Sequence, residues 1–458
     1  MPKNPKRIGT LVKLLLMAYE CSPYRGSEWA VGWGRLLGAS KIAETHVVTS
    51  EENFAALQRA RDEGILPENV LFYTPAPDDK LRRLERRPAI YAYNYKTYHY
   101  WQKLAFAQMQ ELHARENFDL VHQISVCTFR EPGYGWKLGV PFVWGPVGGT
   151  QNFPTRFLSM LAPKEALKEG LRTAANKITL RKPRVRRAAR RASALIAANS
   201  TNEKDFRSAF GRDIDLLLET GIHEVKESNR DRFEARLAND RSGRKPAPLR
   251  ILWSGELQTR KALPVLLRAL SRLQDEAPWQ LDVVGDGPLR ERWAAEAAKL
   301  GIADKVHFLG RLPFPEAVER MNSAELFCFT SLRDTSGNVV LEALAAGVPV
   351  MCFDHQGAGD MVSDFSGVKL AVRSPRQAYE DWAGAIQALA ADPRKLYALS
   401  RGATVQARHF LWSRNHACVN AMYERLVDQQ TGLVVFPAIY PSEERFETPI
   451  GIAHGSSH

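Results

Sequence analysis

Residues 331–350 read SLRDTSGNVVLEALAAGVPV, and three local signals meet there. Just upstream, ELFCFTS (325–331) is a short apolar run rich in Phe, the pattern of a buried strand. NVVLEALAAG (338–347) reads as a helix stopped at Gly347. The loop between them carries Asp334, Gly337 stands at the helix entrance, and Glu342 lies about one turn further in. A helix N-terminus leaves backbone N–H groups unpaired and carries positive dipole, which makes it a seat for phosphate. The spacing therefore predicts an anionic ligand held where a strand hands over to a helix, with one acid on each side.

The strand-then-helix rhythm extends in both directions. RILWSGE, WQLDVVGDG, KVHFLGR, GVPVMCF and GVKLAV alternate with helical segments around the opening stretch. An earlier series does the same: VKLLLMAYE, ETHVVTS, NVLFYTP, FDLVHQIS, GVPFVWG and ASALIAANS. Such alternation predicts parallel sheets flanked by helices, here two doubly wound α/β domains in tandem. Ligands in these folds sit at the carboxyl ends of the strands, so two facing domains place the site in the cleft between them. The polar stretch 221–250, with Pro246 and Pro248 near its end, reads as a linker. The expected division is 1–220, a linker at 221–249, 250–405, a helix at 406–430 returning to the first lobe, and a tail at 431–458.

A chain of 458 residues with 45% hydrophobic content can bury two ordinary cores. Its five cysteines are scattered, without zinc or disulfide spacing, and read as small buried hydrophobes in a reducing compartment. No apolar run reaches the ~18 residues of a membrane span. The first apolar run, IGTLVKLLLMAYE, carries Lys13 in its middle and reads as a buried strand. A cytoplasmic protein is expected.

The net charge of +12 is concentrated: eleven Lys and Arg residues fall between Lys164 and Arg191, opposed only by Glu165 and Glu169. A solvated helical face is one reading. The other is a dock for anionic lipid headgroups, which would place the protein at the inner face of the cell membrane, or for an acidic acceptor. Nucleic acid is disfavoured, because no recognised nucleic-acid module accompanies the charge. GWGRLLG (32–38) lacks the spacing of a dinucleotide fingerprint and falls inside a helix, so no nicotinamide site is read there. YAYNYKTYHYW (91–101) reads as helix packing with hydroxyls at the rim, or alternatively as a platform that stacks sugar rings.

WSGELQTRKALPVLLRAL (253–270) places Gly255 at a strand end, then Arg260 and Lys261 in a loop, then a helix. Adjacent cations there suit a diphosphate clamp, although a solvated pair at a helix start is the alternative. With VVGDGPLRERW (283–293), KVHFLGR (305–311) and DTSGNVVLEALAAGVPVMCFDHQGAGDMV (334–362), this block resembles the donor half of GT-B glycosyltransferases of family 4, the group 1 glycosyltransferases. The two acids separated by seven residues are the most specific element. AYECSPYRGSEWAVGWG, FDLVHQISVCTFREP and GVPFVWGPVGGTQNFP resemble a subgroup of the same family in the first half.

The resemblance implies a GT-B fold, two Rossmann-like domains facing across a cleft. It also implies a retaining, metal-independent enzyme that moves a sugar from a nucleoside-diphosphate-sugar to a glycan or lipid-linked acceptor in cell-envelope or exopolysaccharide biosynthesis. No cofactor beyond the donor is implied. By carry-over, Asp334 contacts the transferred sugar, Lys261 and Arg260 clamp the diphosphate, and Glu342 holds the ribose. Gly337, Asn338 and Val339 supply backbone N–H groups beside Gly255, and Gly26 brings the first domain to the phosphates. The stretch where many members place a histidine reads Trp144–Gly149 here, so Gly148 and Gly149 are expected to offer amides instead. His122 is a second-tier candidate, a cleft residue or a satisfied core histidine. Three departures stand out: Asp334 replaces the usual Glu, Glu256 follows Gly255 where an Arg is usual, and Ala262 follows Lys261 where Gly is common. An epimerase of the same fold and a non-catalytic nucleotide-sugar or glycan binder remain the alternatives.

Overall fold

The computed structural model describes residues 12–86, 91–225, 230–243, 247–273 and 278–431. Two parallel sheets dominate. The first is built from β1 (Lys13–Ala18), β2 (Glu44–Val48), β3 (Val70–Tyr73), β4 (Leu120–Ser125), β5 (Phe142–Val147), β6 (Ala194–Ala197) and β7 (Asp215–Leu216). Its order is β3-β2-β1-β4-β5-β6-β7. The second comprises β8 (Leu249–Ser254), β9 (Trp279–Val284), β10 (Val306–Gly310), β11 (Leu326–Phe329), β12 (Val350–Phe353) and β13 (Gly367–Leu370), ordered β10-β9-β8-β11-β12-β13. Helices cover both faces, which is why the strands read as unbroken apolar runs. Leu14, Leu15, Leu16 and Met17 of β1 are all fully buried. At about 1.5–3 kcal/mol per large apolar side chain, these four contribute about 6–12 kcal/mol of burial free energy.

The strand order reverses between β1 and β4 in the first sheet and between β8 and β11 in the second. These are the crevices where such folds bind ligands. β7, only two residues long, has no apolar run to announce it.

The aromatic run opens a long helix, Tyr91–Glu116. Tyr98 and Trp101 are buried, and the Tyr98 hydroxyl donates to the Ser125 carbonyl at 3.1 Å. GWGRLLG lies in the helix Glu28–Ala39, and its glycines serve packing. A Cβ on Gly34 would stand 2.7 Å from the Trp412 ring, and one on Gly38 would stand 2.6 Å from His416. Both contacts come from the final helix, Trp412–Thr431, which docks against the first domain. Arg35 to Asn415 at 2.5 Å and Asn420 to the Gly38 carbonyl at 2.9 Å pin it there. The expected tail from 432 onward lies outside the described residues.

The stretch read as a linker contains a helix, Asp231–Arg241. Weak periodicity hid it, because only Phe233 and Arg236 are buried. Arg236 forms a two-pronged bridge to Glu325 at 2.8 and 2.9 Å, with both side chains nearly out of solvent. Removing one partner of such a pair leaves an uncompensated buried charge. Arg236→Ala is therefore expected to lower unfolding free energy by about 3 kcal/mol or more, read from urea denaturation. A loss below about 1 kcal/mol would show that this helix does not brace the second sheet.

Candidate active site

β8 and β11 are neighbours in the second sheet, so the loops that follow them meet. The loop after β8 makes a short 3-10 turn, Thr259–Lys261, before the helix Leu263–Leu270. The loop after β11 carries Ser331 to Gly337 into the helix Asn338–Ala345. Hydrogen bonds to backbone carbonyls zip the two together: Leu332 N–H donates to the Arg260 carbonyl at 2.9 Å, and Thr330 Oγ1 donates to the Lys261 carbonyl at 2.7 Å. Trp253 Nε1 holds Thr330 Oγ1 in turn, at 3.0 Å.

Within this frame Asp334 Oδ2 receives both cations. Lys261 Nζ is hydrogen-bonded to it, and Arg260 Nη1 lies 3.0 Å away. Lys261 is 9% exposed, with its ammonium 5.0 Å from the centre of the Phe329 ring. Burial pulls the Lys261 pKa down, offset only in part by Asp334. Burial acts upward on Asp334, but Lys261 and Arg260 outweigh it and hold the carboxyl below its ordinary range. The two cations and the carboxylate form a fixed, partly enclosed cluster.

Gly337 caps the helix Asn338–Ala345 at φ 87°, where a Cβ would stand 2.7 Å from the Phe329 ring. A glycine cap offers no side-chain acceptor to the first-turn N–H groups of Asn338 and Val339. Glu342 is exposed, yet the protein walls around it raise its carboxyl pKa. Gly255 packs beside the Lys261 stem, and Glu256 is exposed and bonded to Gln258. Ala262 adopts a left-handed conformation, φ 48° and ψ 37°, which explains why Gly is common there.

The other predicted residues divide. Gly26 lies exposed in the loop after β1. Gly148 ends β5's loop against Thr335, bringing the first domain onto the Asp334 loop. Its amide and that of Gly149 do not face a ligand, because Cys127 O and Gln151 Oε1 accept from them at 3.1 and 2.9 Å. His122 is a core histidine in mid-strand, fully buried, bonded at 2.5 Å to both the Tyr423 hydroxyl and the Gly145 carbonyl. Burial holds its pKa down to about 3, so it stays neutral.

Four positioning side chains carried no signal in the sequence. Gln356 Oε1 accepts from the Asp334 N–H at 2.7 Å and fixes the backbone of the acid loop. Thr335 is held from the first domain by Gln151 and by Asn199, whose Nδ2 meets the Thr335 carbonyl at 2.8 Å. Glu219, after β7, accepts from Ser336 Oγ at 2.7 Å. Each partner is remote in sequence, and only the fold joins them. A separate Glu44–His46–Glu116 group is compact enough for a metal ion, but Lys13 sits between its two carboxylates, at 3.2 and 2.8 Å. It marks the start of β1 and β2, away from the cleft.

Residues 236–405 match the family model of the group 1 glycosyl transferases. The two domains together have the GT-B architecture. The chain is similar to a D-inositol 3-phosphate glycosyltransferase of Thermobispora bispora, 34% identical over 196 residues, 40% of this chain and 45% of the relative. It spans about half the length of the curated relatives it matches. Among solved structures, Anabaena HepE in complex with UDP aligns with TM-score 0.57 and 17% identity over 90% of this chain and all of that one. Sucrose-phosphate synthase of Thermosynechococcus elongatus aligns with TM-score 0.60 and 16% identity, over 91% and 100%.

Glu219 supports a pH prediction. Burial pushes its carboxyl up to about 7, against an unfolded value of about 4.3. Ionising it therefore costs folded-state stability, and the loss accumulates as pH rises from about 4.3 to about 7. Glu219→Gln keeps a carbonyl acceptor for Ser336 and removes the ionisation. The variant is expected to match wild type near pH 4.5 and to exceed it by on the order of a few kcal/mol near pH 8. Parallel stability curves for the two proteins would refute the shift.

Proposed function

We propose that the chain is a glycosyltransferase that uses a nucleoside-diphosphate-sugar and transfers the sugar with retention, without a metal or other cofactor. One observation carries the reading: Lys261 and Arg260 converge on Asp334 at the carboxyl ends of β8 and β11, beside the glycine-capped helix Asn338–Ala345. Breaking a glycosyl–phosphate C–O bond places negative charge on the leaving diphosphate. Fixed cations and helix N–H groups stabilise that charge with little reorganisation. The acceptor hydroxyl bonds to the anomeric carbon, and its proton passes to a leaving phosphate oxygen.

In this reading the diphosphate shares Lys261 and Arg260 with Asp334, whose free oxygen meets the sugar hydroxyls. Glu342 takes the ribose, and Gly337, Asn338 and Val339 contribute their amides. The 250–405 domain binds the donor, and the 1–220 domain the acceptor. The acceptor is a glycan or lipid-linked saccharide of envelope or exopolysaccharide assembly. What favours a lipid-linked one is the basic surface at 164–191, suited to anionic headgroups at the inner face of a membrane.

Turnover with a panel of labelled donors and acceptors tests the reading directly. Lys261→Ala is expected to slow transfer about 10- to 100-fold, or 1.5–3 kcal/mol of transition-state stabilisation. A wild-type rate in that variant would remove the clamp. Glu342→Ala should weaken nucleoside diphosphate binding by calorimetry, and unchanged affinity would take it out of the ribose role. Sugar interconversion in the absence of acceptor would assign an epimerase instead. Donor binding with no turnover on any acceptor would assign a binding protein.

A further inference from the structure

The helix Pro163–Leu180 is amphipathic the wrong way round. Its polar residues point inward: Glu169, Asn176 and Thr179 are buried. Glu169 pairs with Arg333 of the acid loop at 3.0 Å, and Asn176 donates to Asn152 at 2.8 Å. Its large apolar residues point outward: Leu167, Leu171 and Ile178 are 64%, 63% and 62% exposed. At about 100° per residue these three fall within an arc of about 40°. A helix serving only its own core would show the reverse.

Cations border the apolar stripe on both sides. Lys164 and Lys168 lie on one flank, Lys177 and Arg181 on the other, and all four are exposed. The next helix, Pro183–Arg191, buries Val185, Ala188 and Ala189 and exposes Arg186, Arg187, Arg190 and Arg191. Among the described residues none of these eight cations forms an ion pair. An apolar ridge between two rows of unpaired cations is the chemistry of a helix lying in the plane of an anionic lipid surface. A second copy of the chain fits poorly, because pairing the stripes would bring the two cationic rims together. No helix among the described residues is long and apolar enough to cross a membrane.

We infer that the helix Pro163–Leu180 embeds Leu167, Leu171 and Ile178 in the acyl boundary of an anionic phospholipid leaflet, with the surrounding lysines and arginines on the headgroups. The inference rests on reading 164–191 as a lipid-facing surface and is independent of sugar transfer. It adds penetration to attraction. It also places the membrane on the back of a helix whose inner face grips the acid loop through Glu169 and Arg333.

Flotation of the full chain with phosphatidylcholine vesicles, with and without phosphatidylglycerol, tests it. The wild type is expected to float only with anionic vesicles, and less at high salt. The Leu167→Ser/Leu171→Ser/Ile178→Ser variant alters only exposed side chains and should keep the wild-type circular dichroism and melting temperature. Its partitioning should fall at least about tenfold. A fluorophore on Leu171→Cys should shift to the blue on anionic vesicles. No binding by the wild type overturns the lipid-facing surface and the inference together. Undiminished binding of the triple-serine variant, with no blue shift, overturns penetration and leaves electrostatic attraction standing. Self-association abolished by the serines, without vesicle binding, assigns the stripe to a dimer and overturns it. Nucleoside diphosphate affinity, measured in the same variants, should be unchanged in every case.

Discussion

One carboxylate shared by two cations organises the second domain's ligand end. Lys261 is almost fully enclosed, and an enclosed ammonium is expensive unless a partner meets it. Asp334 is that partner, and it arrives from a different crossover of the sheet. Satisfying the pair forces the loops after β8 and β11 into register, which Thr330, Ser331 and Leu332 then complete with bonds to the backbone of residues 260 and 261. The result is a fixed, partly enclosed cluster of two cations and one carboxylate beside the entrance of a helix. Charges held in this way act on a developing anion far more strongly than mobile ones in water.

The same loop joins the two domains. Arg333 reaches Glu169, Thr335 is gripped by Gln151 and Asn199, and Ser336 donates to Glu219. Four consecutive residues, 333 to 336, thus serve the cation site and the interdomain contact at once. The first domain positions the acid loop from behind and from the side, and a change in domain angle would be felt at Asp334. The Gly148–Thr335 contact belongs to this junction, and its closeness leaves room for no side chain at 148.

Much of the architecture was legible in the chain. Each run read as a strand became one, because strands buried on both faces need unbroken apolar sequence. The loop carrying Asp334, the helix entrance at Gly337 and the cations at 260 and 261 also lie where spacing placed them. The readings that changed are those where tertiary partners decide. His122 looks the same in sequence whether it lines a cleft or, as it does, bonds Tyr423 three hundred residues away. The amides of Gly148 and Gly149 are consumed by Cys127 and Gln151, a fact of folding and not of pattern. The helix Asp231–Arg241 was missed because its anchor is a buried ion pair to Glu325 and not an apolar stripe.

By itself the sequence determined which segments are strands and helices, where glycine punctuates them, and which loops carry charge, since these are properties of near neighbours along the chain. Only the tertiary structure decided which loops meet, which polar groups are already spent, and that one amphipathic helix turns its leucines to the outside. Those depend on how strands cross over and on which atoms lose water, and neither is written in any local stretch.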